Sequence, residues 1–454
     1  MGTLFTSMVS AASAMRALQR SLNVVENNIV NASTVGYARQ ESSLIANPFD
    51  PNSGFSAGGV SFGPLTSSRN AFVEASVWKT QHRAGFSENL AAKLTEIERT
   101  FPLTDGAGVP AQIDKFFAAV SQWSVTPNDS VSRRQVLDRA ATLAQSFNQT
   151  ALDLGDAAGR AGGELGATVL KVNRLTADIV SINKQRRESF GSANDAGLDS
   201  SLHAKLEELS QFVDFTALPQ EDGSVSVFIG GQTPAVIGDH QWPISLTNAG
   251  STYQIVDVEG NDISSRVNEG KLGALLEFRN TLLPDYQTRL NTLAQGVADN
   301  VNTVLNAGID QTGVAPTKNL FTYNAQIGAA ATLTVTDITG PELAAAAPGD
   351  SGGNTNALDL VDVQNTGIFS GLTPAQYYAE LASNVGDRLN SEEGNGSLQR
   401  QLVLQAQSVR AELSGVDTNV EATKLLQLQK GFEAAGQVMS VLNSLTDTLI
   451  NMMR

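Results

Sequence analysis

Three histidines, His82, His203 and His240, are the only imidazoles in 454 residues, and there is no cysteine. Few groups are therefore available to bind a transition metal or to act as a nucleophile near neutral pH. No two histidines stand at the spacing of a helical zinc pair. His203 and Glu207 are one helical turn apart and could share an ion, although a solvated surface pair is the plainer reading. Asp310–Gln311–Thr312–Gly313 starts like a calcium loop but lacks the alternating oxygen ligands, so it reads as a turn. The sequence has no phosphate-cradling glycine loop and no nucleophile elbow. It predicts no catalytic residue, no cofactor and no metal.

Charge narrows the partners. A formal charge of −16 and a pI near 4.7 repel phosphate backbones, so no nucleic-acid partner is expected. No run approaches 18 apolar residues, so no membrane insertion is expected either. The first twenty residues lack the basic start and unbroken apolar run of a cleaved secretion signal. Export, if it occurs, would use another route.

The strongest pattern lies at the two ends. Leu4, Met8, Ala11, Met15, Leu18, Leu22, Val25 and Ile29 alternate by four and three residues. Leu425, Leu428, Phe432, Ala435, Met439, Leu442, Leu449 and Met453 keep the same alternation, with Thr446 as the polar member. A 3.5-residue apolar period marks helices that pack along a seam. Phe5, Val9, Val24, Leu426, Val438, Val441, Leu445, Ile450 and Met452 lie beside these seams and widen the stripe beyond one partner's reach. Periodicity leaves open whether the ends fold on meeting other copies or pack on the chain's own central helices.

Between the ends, helical spacing runs from about Ala71 to Phe101, over Ile113 to Trp123, and from Val131 to Arg187 with a break expected at Gly155–Gly166. Strand signals occupy Val213 to Val267, divided by glycine and asparagine turns. Helix returns from Leu272 to Leu305 with a break or kink at Pro284. Gly308 to Gly371 reads as mostly loop, with a strand candidate at Ala331–Ile338. The next helix starts at Pro374, with an interruption expected at Gly394–Gly396. A helix end is expected near Gly415, and Thr418–Asn419–Val420–Glu421 reads as a capping box that starts the last helix.

The expected class is mainly α with a β insert. Long N- and C-terminal helices pair as a coiled coil, beside a helical core domain and a small outer β domain. The expected divisions are residues 1–60 with 405–454 as the terminal coiled-coil unit, and 61–200 with 268–320 and 366–404 as the helical core. Residues 201–267 form the β-rich outer domain and 321–365 a loop-rich insert.

One string is more specific. Asn27–Asn28–Ile29–Val30–Asn31–Ala32–Ser33–Thr34–Val35–Gly36–Tyr37–Ala38–Arg39–Gln40 resembles the N-terminal signature of the bacterial flagellar rod, hook and hook-associated axial proteins. Asn27, Asn28 and Asn31 suit a helix end, with Thr34 in the turn. Gly36 suits a sharp turn, and Tyr37 can anchor the outgoing strand ahead of Arg39 and Gln40. Within that family, Tyr37–Ala38–Arg39–Gln40, Phe116–Phe117–Ala118–Ala119–Val120, Gly270–Lys271–Leu272–Gly273–Ala274 and Ser414–Gly415–Val416–Asp417 are similar to the hook–filament junction branch. The resemblance implies a structural subunit, not an enzyme. It would be exported unfolded by the flagellar type III apparatus and would polymerise through its terminal helices as an inner tube. Implied partners are copies of itself, the hook protein, the next hook-associated protein on the filament side and a cytoplasmic export chaperone on the C-terminal helix. The implied location is the extracellular flagellum, after a cytoplasmic stage. The alternatives are a hook or distal-rod subunit, or a flagellin-like surface protein whose β domain binds ligands.

Overall fold

Apolar residues at helical spacing carry most of the chain into helix. The structure is a computed structural model that describes residues 2–34, 36–48, 58–103, 106–188, 195–250 and 252–452. Met453 of the expected seam and Val35 of the signature lie outside the described residues. The order begins with α1 (Gly2–Val30), β1 (Gln40–Ala46), β2 (Val60–Ser67), α2 (Ala71–Glu98), α3 (Gly108–Val125), α4 (Ser130–Glu188) and α5 (Ala196–Ser210). The β insert follows as β3 (Phe215–Pro219), β4 (Val225–Ile229), β5 (Thr233–Ile237), β6 (His240–Gln241), β7 (Ser245–Ala249) and β8 (Thr252–Val256). Next come α6 (Gly270–Glu277), α7 (Leu283–Ala307), β9 (Phe321–Thr322), α8 (Ala329–Thr332), β10 (Thr334–Val335) and α9 (Thr355–Asp362). The chain closes with α10 (Pro374–Ser414) and α11 (Thr418–Met452).

All sheets are small and antiparallel. β1 and β2 form a hairpin with Gln40 opposite Ser67 and Ala46 opposite Val60. The insert is a meander in the order β3-β4-β5-β6 plus the separate hairpin β7-β8.

The apolar core has two parts. In the first, Leu90, Leu94 and Ile97 of α2 meet Phe116, Phe117 and Trp123 of α3, the first half of α4, and Leu290, Leu293 and Val297 of α7. In the second, Trp78 and the second half of α4 (Leu165, Val169, Val172, Ile179) meet Leu202 and Leu206 of α5, Val227 and Ile229 of β4, and Leu272 of α6.

That division explains the first correction. The expected break at Gly155–Gly166 does not occur, and α4 runs unbroken for 59 residues. Each helical glycine costs about 1 kcal/mol relative to alanine. Here the helix is held at both ends: Leu154, Ala157 and Ala161 lie in one core and Leu165 and Val169 in the other. Gly162 also admits Tyr253, whose hydroxyl would lie 2.6 Å from an added Cβ.

The interruption expected at Gly394–Gly396 is likewise absent from α10. Gly396 packs on Ser87 and Glu88 of α2, so glycine permits a close helix pair there. The pair is antiparallel, with Arg400 on Glu88 at 2.7 Å and Arg410 on Glu74 at 3.4 Å. At Pro284 the helix does not end. A π-helical turn, Phe278–Leu282, widens the ladder just before the proline, which lacks an N–H and would crowd the carbonyl of Asn280. Residues 308–371 are more ordered than their composition suggests. They carry α8, α9 and the β9–β10 pair, and bury Leu320, Phe321, Leu333, Leu343 and Leu360 in the first core.

Two glycines make a paired prediction. A Cβ on Gly85 of α2 would stand 2.6 Å from the carbonyl oxygen of Gln211, whereas one on Gly155 of α4 would meet nothing. Gly85→Ala should lower unfolding stability by about 1–3 kcal/mol. Gly155→Ala should raise it by about 0.5–1 kcal/mol. Urea titration of the two variants checks both signs.

Candidate assembly interface

The seams meet. Thr446 Oγ1 lies 3.7 Å from the Met8 sulfur, and a methyl built on Gly431 would touch Leu18 at 3.6 Å. Asn28 meets Glu421. One index falls as the other rises, so α1 and α11 are antiparallel. On α1, Val25 is buried and Leu4, Met8, Ala11, Met15, Leu18, Leu22 and Ile29 are half-buried. On α11, Leu425, Leu428, Phe432, Ala435, Met439, Leu442 and Thr446 are half-buried, and Leu449 is exposed. α11 packs extensively on α1 and on no central helix. The other flank of α1 is covered by the β1–β2 hairpin, where Ser42 of β1 donates to the buried Ser21 at 3.3 Å.

An apolar stripe stays uncovered. Phe5, Val9, Leu426, Val438, Val441, Leu445, Ile450 and Met452 are all exposed, while Val24 is half-buried. Val438, Val441, Leu445 and Met452 each precede a seam position by one residue, so they form a second line on the same helix. In an antiparallel pair, Phe5 and Val9 fall at the end occupied by Val441 to Met452. Scattered exposed apolar residues are ordinary, whereas Val438, Val441, Leu445 and Met452 recur at spacings of three, four and seven residues along one side of α11.

The signature turn closes the other end of the pair. Asn28 is fully buried and makes all four of its hydrogen bonds. Its Nδ2 donates to the Gln40 carbonyl at 2.9 Å and to Glu421 Oε2 at 3.0 Å. Its Oδ1 accepts from the Tyr37 hydroxyl at 2.8 Å and from the Gln40 N–H at 2.9 Å. The equally buried Glu421 takes its charge-assisted bond from Arg39 Nε at 2.7 Å. Burial, with the Glu421 charge second, pushes the Tyr37 hydroxyl up to about 12. Asn31 donates back to the Asn27 carbonyl at 3.0 Å, and Thr34 donates to Asn31 Oδ1 at 3.2 Å, closing the helix end. Gly36 has φ +77° and lies so close to α5 that a Cβ would stand 2.6 Å from the Ser200 carbonyl oxygen. Gln40 is buried, with its amide on the Ala38 carbonyl at 3.0 Å. Glu421 is therefore no capping-box residue. Asp417 caps α11 instead, accepting from the N–H of Asn419 at 2.8 Å and of Val420 at 3.3 Å.

A second polar cluster, not foreseen from the sequence, joins α2, α5 and α10. Arg69 bonds Glu74 at 2.5 Å and Asp199 at 2.8 Å, and Arg410 bonds Glu207 at 2.7 Å. His203 and Glu207 are thus not a solvated surface pair. Glu207 belongs to Arg410, and the His203 ring stacks on Trp78 at 5.8 Å. Among the described residues, no three histidine, aspartate or glutamate side chains gather to hold a metal. At Asp310 the carboxylate accepts from the N–H groups of Thr312 and Val314, which is a turn.

The histidines make the fold sensitive to acid. Burial, with Arg69 second, pushes His203 from the ordinary 6.5 down to about 3, and burial with Arg83 does the same to His82. The unfolded chain binds these protons near pH 6.5, the folded chain only near 3. Their contribution to stability is complete above 6.5 and drains as pH falls toward 3. Asp214 acts in the opposite direction. Burial, and then Glu269, push it from 3.8 up to about 6, so it adds stability as pH falls through that window. Between about pH 6.5 and 5 each histidine should cost about 1–2 kcal/mol. Urea unfolding at a series of pH values should show a flatter acid limb for the His82→Gln, His203→Gln double variant than for the parent.

Comparison with known proteins agrees with this geometry. Residues 94–321, half of the chain, match the family described as the flagellar hook-associated protein FlgK helical domain. Residues 8–37 match the flagella basal body rod protein family, and residues 407–452 match the flagellar basal body rod FlgEFG protein C-terminal family. Flagellar hook-associated protein 1 of Bacillus subtilis (strain 168) is 24% identical over 99% of both chains. Its namesake from Escherichia coli (strain K12) is 22% identical over 97% of this chain and 98% of its own. The solved structure of the flagellar hook junction protein FlgK from Burkholderia pseudomallei shares the fold, with a TM-score of 0.66 at 14% identity, covering 74% of this chain and 99% of that one. With long terminal helices paired with each other beside a helical core, and with small antiparallel sheets, the chain belongs to the flagellar hook-associated protein FlgK family.

Proposed function

We propose that this flagellar structural subunit sits between hook and filament and builds its share of an axial tube from α1 and α11. The observation that carries the reading is the stripe Phe5, Val9, Val438, Val441, Leu445, Ile450 and Met452, left exposed beside a seam that is itself only half-buried. One partner helix leaves that surface wet; neighbouring copies of the chain would cover it. In this reading residues 1–60 with 405–454 form the tube wall. Residues 61–200, 268–320 and 366–404 form the helical core, with 201–267 outermost and 321–365 inserted. The hook protein lies on one side and the next hook-associated protein on the other.

Export by the flagellar type III apparatus suits a chain without cysteine, because nothing crosslinks it. A cytoplasmic chaperone on α11 would shield the same apolar line before export. The extended helical core favours the junction over a hook or distal-rod position, and the terminal seams favour assembly over ligand binding by the β insert.

The test is complementation. Cells lacking the gene should carry hooks without filaments under the electron microscope, and the parent chain should restore the filaments. Leu442→Asp puts a charge into the half-buried seam and should fail to restore them, while the purified variant keeps the core's unfolding transition. Filaments of normal number from Leu442→Asp would contradict the assignment.

A further inference from the structure

Among the described residues, the unit made of α1, β1, β2 and α11 has no extensive packing against the core. Two chain crossings connect it, residues 67–70 and 414–418, and they lie side by side. The Arg39 N–H donates to the Ser414 carbonyl at 2.9 Å, and the Ser68 N–H donates to the Arg39 carbonyl at 2.9 Å. The buried Ser414 hydroxyl donates to the Ser68 carbonyl at 3.1 Å and accepts from the Asn70 N–H at 3.3 Å. Bonds clustered at the crossings fix a pivot, but a pivot does not fix an angle. α1 is a lever of about 43 Å at 1.5 Å per residue, so a tilt of about 10° moves its far end by about 7 Å. Helices that pack side by side do not tolerate such an offset.

We propose that Arg69 is the positioning residue that sets this angle, and with it the orientation in which the subunit offers α1 and α11 to its neighbours. Its guanidinium reaches both bodies. Nη2 donates to the Gly36 carbonyl of the signature turn at 2.6 Å. Nη1 bonds Glu74 on α2 at 2.5 Å, and Nε bonds Asp199 on α5 at 2.9 Å. The side chain is nearly buried, and the planar fork of arginine fits three acceptors at fixed directions. Gly36 rests on α5 in a left-handed conformation, so its carbonyl is presented rigidly to Arg69.

The two carboxylates do not depend on Arg69 for a partner. Asp199 also holds Arg186 at 3.1 Å, and Glu74 also holds Arg410 at 3.4 Å. Removing the Arg69 side chain therefore leaves a paired network inside the core and deletes its bond to the terminal unit. A residue that only stabilised the core would behave differently.

The link to assembly rests on the function proposed above; the angle itself does not. The chain has no cysteine, so Gln19→Cys on α1 with Lys79→Cys on α2 places spin labels at two exposed sites across the joint. Pulsed dipolar spectroscopy of the free chain should give one narrow distance. Arg69→Ala should broaden that distribution about twofold while the core's unfolding midpoint stays within about 3 °C. Arg69→Lys should broaden it too, because one ammonium cannot span three acceptors. Unlabelled Arg69→Ala should also enter flagella poorly. An unchanged distribution, or one that broadens only as the core unfolds, overturns the role of Arg69. Broadened distances with normal incorporation overturn its link to assembly. Leu442→Asp tests the junction reading independently of either result.

Discussion

A buried asparagine and a buried glutamate, 393 positions apart, hold the two ends of this chain together. Neither side chain is tolerated inside a protein without partners. Asn28 needs the Gln40 backbone, Tyr37 and Glu421, and Glu421 needs Asn28 and Arg39. Satisfying all of them sets the end of α1, the turn into β1 and the start of α11 at one point. The seam then runs outward from that point, with Val25 buried, Leu449 exposed and the other described positions half-buried. Everything between must return the chain to where it began, which α2 and α10 do as an antiparallel pair.

The same economy shapes the surface. A heptad seam made largely of leucine, methionine and alanine is sticky but not selective, since moving it by seven residues lays apolar positions on apolar positions again. The polar knot at Asn28 and Glu421 is selective, because a displaced carboxylate would be buried without Arg39. Such one-sided burial costs about 3–5 kcal/mol, more than a single seam side chain contributes at about 1.5–3 kcal/mol. Apolar faces supply adhesion in this molecule, and buried polar groups supply position.

The parts legible in the sequence were those with a local cause. Periodicity alone locates α1 and α11, and Gly415 marks the break between α10 and α11. The turn glycines separate most strands of the insert. Glycine misled where packing overrode propensity. Gly155 to Gly166 and Gly394 to Gly396 sit inside unbroken helices, because each stretch is braced by neighbours that no local pattern reveals. Residues 320–363 look like loop yet bury Phe321, Leu343 and Leu360 with partners far away in the chain. The signature named Asn28, Tyr37 and Arg39 but not their partner, and Glu421 looked like an ordinary cap. The Arg69, Glu74, Asp199 and Arg410 cluster was invisible for the same reason: its charges come from three distant segments, each of which alone resembles a solvated face.

The central claim is that α1 and α11, paired by their seams, also pack on other copies. Electron cryomicroscopy of isolated hook–filament junctions tests it most directly. The expected map has the two helices antiparallel along the inner wall, with Met8 beside Thr446 and with Val441, Leu445 and Ile450 against a neighbouring subunit. A map in which residues 4–29 and 425–452 stand apart, wet on all sides and remote from any second copy, would contradict it.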